Sequence, residues 1–109
     1  MEQISYEEFA QLDIRIGTVV AAELIPGADK LITCTVDFGD FGTRIIVSGI
    51  AQWKQPEALV GRQFPYVVNL APRTLRGVES EGMLIAASDE QGVALIFPER
   101  SVPNGTRLK

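Results

Sequence analysis

Arg73 and Arg76 stand three residues apart in the stretch Asn69-Leu70-Ala71-Pro72-Arg73-Thr74-Leu75-Arg76-Gly77-Val78-Glu79-Ser80-Glu81-Gly82-Met83, bracketed by Pro72 and Gly77. A planar guanidinium offers paired donors that match two phosphate oxygens, and a loop braced by proline and glycine limits how far those donors swing. The pattern therefore fits capture of phosphate groups. It also fits a more ordinary arrangement, in which the two arginines pair with Glu79 and Glu81, because most loop charges are solvated or paired. Ser80 offers a hydroxyl to a phosphate or a base, or steadies the turn before a strand. Met83 would ordinarily fill a core, and its flexible thioether also suits packing beneath an unstacked base at the mouth of a barrel.

Other chemistries are excluded by what the chain lacks. There is no histidine and only one cysteine, Cys34. An internal disulfide, a Cys/His zinc cluster and every mechanism that needs an imidazole are thereby ruled out. A lone cysteine in a strand is expected to fill core. The carboxylates of Asp37, Asp40, Glu79 and Glu81 follow no spacing that sets a pair around a substrate, so an enzyme is not expected, nor a cofactor or metal. Asp37-Phe38-Gly39 and Asp40-Phe41-Gly42 match the magnesium-holding triplet of kinases, but they fall where a hairpin turns and the rest of the kinase pattern is missing. Asn104-Gly105-Thr106 has the form of a glycosylation acceptor and reads better as a turn.

At 109 residues and 46% hydrophobic composition, the chain is expected to form one domain, residues 1–109, with a core large enough to fold without staples. Glu2, Glu7 and Glu8 stand where a signal peptide needs cations, and no apolar run approaches the ~18 residues of a membrane span. A cytoplasmic, membrane-free protein is expected. Ten Lys plus Arg against fourteen Asp plus Glu give a net charge of −4, whereas polyanion binders usually carry a basic surplus. Phosphate binding therefore requires that the cations collect on one face and the carboxylates elsewhere, because phosphate responds to local potential.

The elements that must position these residues are legible from pattern. Ser5 and Glu8 form a capping box before Tyr6, Phe9 and Ala10 or Leu12, which predicts a short amphipathic helix. Ile14 to Leu24 reads as a long strand bent by a bulge at Gly17. Leu31 to Phe38 alternates, with Ile32, Cys34, Val36 and Phe38 on one side. Thr43 to Ser48 makes a third strand, forming a hairpin with the second through Gly39-Asp40-Phe41-Gly42. Pro56 to Gly61 has the proline start and glycine stop of a short helix. Phe64 to Leu70 is a fourth strand, Ala71 to Glu81 a polar loop, and Gly82 to Ala87 with Val93 to Phe97 a second hairpin. The tail from Pro98 to Lys109 is turn-rich. Three strands, a helix, then further strands is the order of an all-β OB-fold, a five-stranded Greek-key barrel, here with a short N-terminal helix and a C-terminal extension.

Five segments, Asp13-Ile14-Arg15-Ile16-Gly17, Ala28-Asp29-Lys30-Leu31, Val47-Ser48-Gly49-Ile50, Asn69-Leu70-Ala71-Pro72-Arg73 and Ser80-Glu81-Gly82-Met83, strongly resemble the tRNA-binding domain family from about Tyr6 to Lys109. That family includes the C-terminal appendage of methionyl-tRNA synthetases, free-standing tRNA-binding proteins, the endothelial-monocyte-activating polypeptides and the CsaA chaperones. The resemblance implies a barrel that dimerises through its N- and C-terminal additions and recognises the shape of tRNA. It places Ser80 and Met83 at an RNA face with Asn69, Arg73 and Arg76, matches Lys30 to the lysine opening the second strand, and sets Arg44 and Ser48 on the third strand toward the same groove. Lys54 is a weaker candidate, its register being unsure. Many members carry more lysine than this chain.

On this reading Lys30, Arg44, Arg73 and Arg76 contact phosphates, while Asn69, Ser48 and Ser80 supply neutral hydrogen bonds. Phe38, Phe41, Trp53 and Tyr66 serve as core or dimer filling at least as well as stacking platforms. A homodimer is expected to be sealed by Ile4, Tyr6, Phe9, Val102 and Leu108; alternatively these residues cap the barrel of a monomer. Two other functions share the scaffold: a CsaA-like export chaperone for unfolded polypeptide, and a subunit that delivers tRNA to methionyl-tRNA synthetase.

Overall fold

The computed structural model describes all 109 residues. Its N-terminal helix, α1 (Tyr6–Ala10), is a little over one turn long and starts at the expected capping box. Ser5 Oγ accepts from the Glu8 amide at 3.1 Å and Glu8 Oε1 accepts from the Ser5 amide at 3.1 Å. None of its residues is buried, so so short a helix depends on its cap and on whatever its apolar face meets.

Strand β1 (Ile14–Ile25) is long enough to serve two sides of the barrel. Its first part, Ile14 to Thr18, pairs with β4 (Gln63–Val67), and Thr18 to Ile25 pairs with β2 (Ala28–Asp37). The bend does not come from a bulge at Gly17. Gly17 stays in register opposite Phe64, and the ladder slips instead between Val19 and Ala21 and between Leu24 and Ile25. Glycine is needed at 17 for space: a Cβ there would sit 2.5 Å from Val36 Cγ1 and 2.7 Å from Phe38 Cε1, well inside van der Waals contact. Strand β2 begins three residues earlier than the alternation suggests, because Pro26-Gly27 is a two-residue hairpin turn that sets Ile25 opposite Ala28.

Strand β3 (Thr43–Ser48) has the expected bounds and follows a 3-10 turn at Gly39–Phe41. The helix expected from Pro56 to Gly61 is a single 3-10 turn, Pro56–Ala58; the Gly61 amide donates to Val19 O at 2.8 Å and so joins the barrel rather than extending a helix. The fourth strand ends at Val67 instead of Leu70, since the Val68 amide turns to Asp13 O at 2.8 Å. The expected polar loop from Ala71 to Glu81 contains a hairpin, β5 (Arg73–Leu75) and β6 (Val78–Ser80). The expected strand from Gly82 to Ala87 is divided into β7 (Met83–Leu84) and β8 (Ala86–Asp89), and β8 pairs with β9 (Gly92–Leu95) through a turn at Glu90-Gln91.

The main sheet runs β3-β2-β1-β4-β7, the five-stranded core of the OB barrel expected from the element order. Closure between its ends is made partly by side chains. The outward amides of Ile45 and Val47 on β3 donate to Glu81 Oε1 at 3.1 Å and to Ser80 Oγ at 2.9 Å, and the Glu81 amide donates to Ile45 O at 2.8 Å. The edge of β3 is thereby satisfied rather than left as a template for aggregation. The C-terminal tail completes the free side of β1, with Gly105 N to Ile16 O at 2.7 Å, Ile16 N to Thr106 O at 2.9 Å and Leu108 N to Ile14 O at 2.8 Å.

Val19, Ile32, Cys34, Val36, Phe38, Ile46, Ile50, Leu59, Phe64 and Tyr66 form the core. Phe38 and Tyr66 meet edge to face at 5.5 Å, a favoured aromatic geometry. Burial pushes the Cys34 thiol up to about 11 from 9.0, and it raises the Tyr66 phenol too, with Cys34 adding to the effect. Both groups are neutral in the folded state over a wider range than in the unfolded chain. Their contribution to stability is therefore complete below about pH 9 and declines as pH climbs through the raised folded values. Denaturant midpoints are expected to be level from pH 7 to 8.5 and to fall above pH 9, and Cys34→Ala should blunt the first part of that fall.

Candidate nucleic-acid interface

The β5–β6 hairpin brings its functional side chains to β3. Arg73 pairs with Ser80 across the hairpin, and the tip is a two-residue turn of Arg76 and Gly77, with φ of +50° and +81°. Both central residues of such a turn need positive φ. Arg76 is the only non-glycine residue in that region, a conformation that costs an L-residue roughly 1–2 kcal/mol. A cation is held at the exposed tip in spite of that cost, which is the sort of outlier that points toward function.

Arg73 and Met83 form a ridge between two adjoining depressions. One, of about 360 Å³, is lined by Leu70, Ala71, Pro72, Arg73, Ser80, Gly82 and Met83. The other, of about 190 Å³, includes Ser48, Gly49, Arg73, Met83 and Leu84 in its walls. Four of the expected site residues, Ser48, Arg73, Ser80 and Met83, are thus brought together. Met83 is 46% exposed at this ridge, so it is surface rather than core.

The remaining expected residues take different places. Lys30 is exposed at the start of β2, and its carbonyl accepts from the Ala51 amide at 3.1 Å, next to the segment that follows Ser48. Arg44 is half-buried: its Nη1 donates to the carbonyls of Val68 and Glu81, while Nε and Nη2 engage no protein acceptor. It fastens β3 to the segments leading out of β4 and β6. Ser80 is 4% exposed; besides accepting from Val47 it donates to Gly82 O at 3.1 Å, so its hydroxyl is engaged in positioning the ridge. Asn69 is exposed but engaged at both ends of its amide, accepting from the Asp13 amide at 2.8 Å and donating to Gln11 O at 2.6 Å. That bond set ties the helix to the barrel. Lys54 is half-buried and lines neither depression.

Ion pairing decides whether the arginines are free. The pairs within 4 Å join Asp13 to Arg15 at 2.8 Å and to Arg107 at 3.8 Å. Glu79 stands opposite Thr74, and the Glu81 carboxylate is directed at the Ile45 amide. Lys30, Arg44, Arg73 and Arg76 thus carry no carboxylate partner, and the pairing of Arg73 and Arg76 with Glu79 and Glu81 does not occur. Of the aromatic residues, Phe38 and Tyr66 are core, Phe41 lies under the Arg15 guanidinium at 4.0 Å, and Trp53 packs against Gly92. No group of His, Cys, Asp or Glu side chains is arranged to hold a metal ion, and no helix is long and apolar enough to cross a membrane.

A second apolar region lies where the two termini meet. A groove of about 500 Å³ between α1 and the tail is lined by Tyr6, Phe9, Leu12 and Leu108 among others. A neighbouring one of about 240 Å³ includes Ile96, Phe97, Val102 and Leu108. Tyr6 is 71% exposed and Phe97 57% exposed. Ile4 is exposed outside both grooves. Ile96 and Phe97 were not marked by the sequence, because Ile96-Phe97 reads as the inward end of a strand.

Comparison with known proteins bears on the family and the fold. The sequence profile of the family described as "Putative tRNA binding domain" matches residues 14–107. The methionine–tRNA ligase of Deinococcus radiodurans is 50% identical over 107 residues, which is 97% of this chain and 16% of the ligase; the chain thus spans about a sixth of the length of such relatives. Among solved structures, a MetRS-related protein from Pyrococcus horikoshii superposes with a TM-score of 0.94 at 45% identity, covering 100% of both chains. The chaperone CsaA of Bacillus anthracis superposes with a TM-score of 0.90 at 34% identity, covering 99% of this chain and 100% of that one.

Proposed function

This chain belongs to the tRNA-binding domain family, and from that premise we propose that it binds structured tRNA through the β3 and β5–β6 face, as a homodimer and without catalysing a reaction. The observation that carries the reading is the Arg73–Met83 ridge beside β3, where Arg73 and Arg76 of the β5–β6 hairpin, with Lys30 on β2 and Arg44 on β3, are among the cations that no carboxylate neutralises, in a chain whose net charge is −4. Phosphate contacts of this kind give affinity and register, not base identity, so recognition follows the fold of the RNA. Ser48 adds a free hydroxyl, whereas Ser80 and Asn69 act through the backbone they hold. The dimer forms through the apolar grooves at the termini, where Tyr6, Phe9, Val102 and Leu108 are joined by Ile4 at the margin. Two moderate sites then act on one RNA through effective concentration. The setting is the cytoplasm, and the kinship with methionine–tRNA ligases supports delivery of tRNA to such an enzyme.

A second reading, binding of unfolded polypeptide, is favoured by the likeness to CsaA and by apolar Leu70 and Met83 in the same depression. A gel shift separates the two. Bulk tRNA is expected to be retained and an unstructured RNA of equal length to bind at least tenfold more weakly, with an unfolded polypeptide failing to displace the tRNA. Displacement by the polypeptide, with no preference between the RNAs, would favour the chaperone reading.

A further inference from the structure

We propose that the smaller depression, between the end of β3 and the β7–β8 segment, receives one unstacked nucleobase, so that the RNA bound here must present an unpaired nucleotide beside the phosphate held by Arg73. The inference rests on the reading of this face as an RNA site. At about 190 Å³ the depression is smaller than the roughly 300–1,000 Å³ of sites for drug-sized ligands, and so it admits a single ring system. Its walls suit a flat apolar surface with polar edges: Ile50, Leu84 and Val93 are aliphatic, and Ser48 and Ser88 bring hydroxyls. Neither hydroxyl has a hydrogen-bond partner within the protein. Gly49 leaves one wall open, since a Cβ there would approach nothing nearer than the Lys30 carbonyl at 4.0 Å. The hydroxyls of Ser48 and Ser88 are thus left to bond a ligand's polar edge.

The position of Arg73 fits the size of a nucleotide. Its side chain borders both depressions, so a base in the smaller one has its own phosphate within reach of the guanidinium. Met83, on the same ridge, offers a polarisable thioether to the face of the ring. No aromatic side chain lines the depression, so the contact tolerates any base. A base inside a duplex reaches it only by leaving the stack, and that penalty is least where the nucleotide is already unpaired.

Two RNA hairpins of the same stem sequence, one fully paired and one with a single bulged 2-aminopurine, test this by fluorescence anisotropy in 0.1 M salt. The bulged RNA is expected to bind about tenfold more tightly, with a change in 2-aminopurine emission on binding. Ala87→Leu, which fills the depression from an exposed strand position, should remove the preference and the emission change. Equal affinity of the two hairpins, both weakened steeply by salt, would overturn the base receptor and leave the RNA reading intact. Failure of both hairpins and of tRNA to bind would overturn both. A bulge preference that survives Ala87→Leu, with binding of unfolded polypeptide lost in that variant, would assign the depression to polypeptide side chains instead.

Discussion

The double variant Arg73→Ala, Arg76→Gly is expected to bind tRNA about 40-fold more weakly than the parent at 0.1 M monovalent salt. The figure follows from counterion release, in which each phosphate contact contributes roughly 0.7–0.9 to the slope of log K against log salt, so two lost contacts cost about 1.6 decades at 0.1 M relative to 1 M. The slope itself should fall from near −3 to near −1.5. These two guanidiniums are singled out because neither has a carboxylate within 4 Å and because both project from one short hairpin held against β3. Fold stability should change little. Glycine at 76 removes the strain of φ +50°, while adding roughly 0.5–1 kcal/mol of backbone entropy to the unfolded state, and these terms oppose each other. Arg73 is exposed, and its loss opens no core cavity. A comparable loss of affinity accompanied by a lowered denaturation midpoint would mean that the arginines act through folding and not through phosphate.

Tyr6→Asp together with Leu108→Asp is expected to convert a dimer into a monomer that remains folded. Tyr6 is 71% exposed and Leu108 37% exposed in the single chain, so a charge at either site meets solvent in the protomer. In a dimer the same positions would be covered. Each lost apolar side chain then removes on the order of 1.5–3 kcal/mol of burial, and a carboxylate without a partner adds a desolvation cost. Two such sites on each protomer raise the dimer dissociation constant about a thousandfold or more, since every 1.4 kcal/mol is roughly a factor of ten. Light scattering at micromolar concentration should report twice the chain mass for the parent and one chain mass for the variant, and tRNA affinity should fall by about one to two decades as the second site is lost. A parent that already scatters as a monomer would remove the dimer from the account and assign the terminal grooves to capping the barrel.

Much of the barrel was legible because its signals are local. The Ser5/Glu8 cap, the alternation from Ile32 to Phe38 and the Gly39-Asp40-Phe41-Gly42 turn each act within a few residues, and each appears in the structure. What the sequence hid depends on contacts between distant segments. The space that demands glycine at 17 is occupied by Val36 and Phe38 from the neighbouring strand, so the position reads locally as a bulge. The β5–β6 hairpin was concealed by its turn, because Arg-Gly lacks the Asn or Asp that normally announces positive φ at the first central position. At the site, residue type marked Arg73 and Arg76, left Met83 between core and barrel mouth, and gave no signal at Ser48, which only the family resemblance indicated. Type alone could not show that Ser80 caps a β3 amide, that Asn69 clamps the helix, or that Arg44 fastens two strand ends. Phosphate-binding chemistry and strand-edge satisfaction use the same polar groups, and only the fold distributes them.

If Lys30, Arg44, Arg73 and Arg76 hold tRNA phosphates on an otherwise acidic barrel, the affinity of the parent protein for tRNA from about 0.05 to 0.3 M monovalent salt must report it. Four phosphate contacts predict a straight line of log K against log salt with slope near −3. A slope near zero, or no binding even at the lowest salt, would contradict the account.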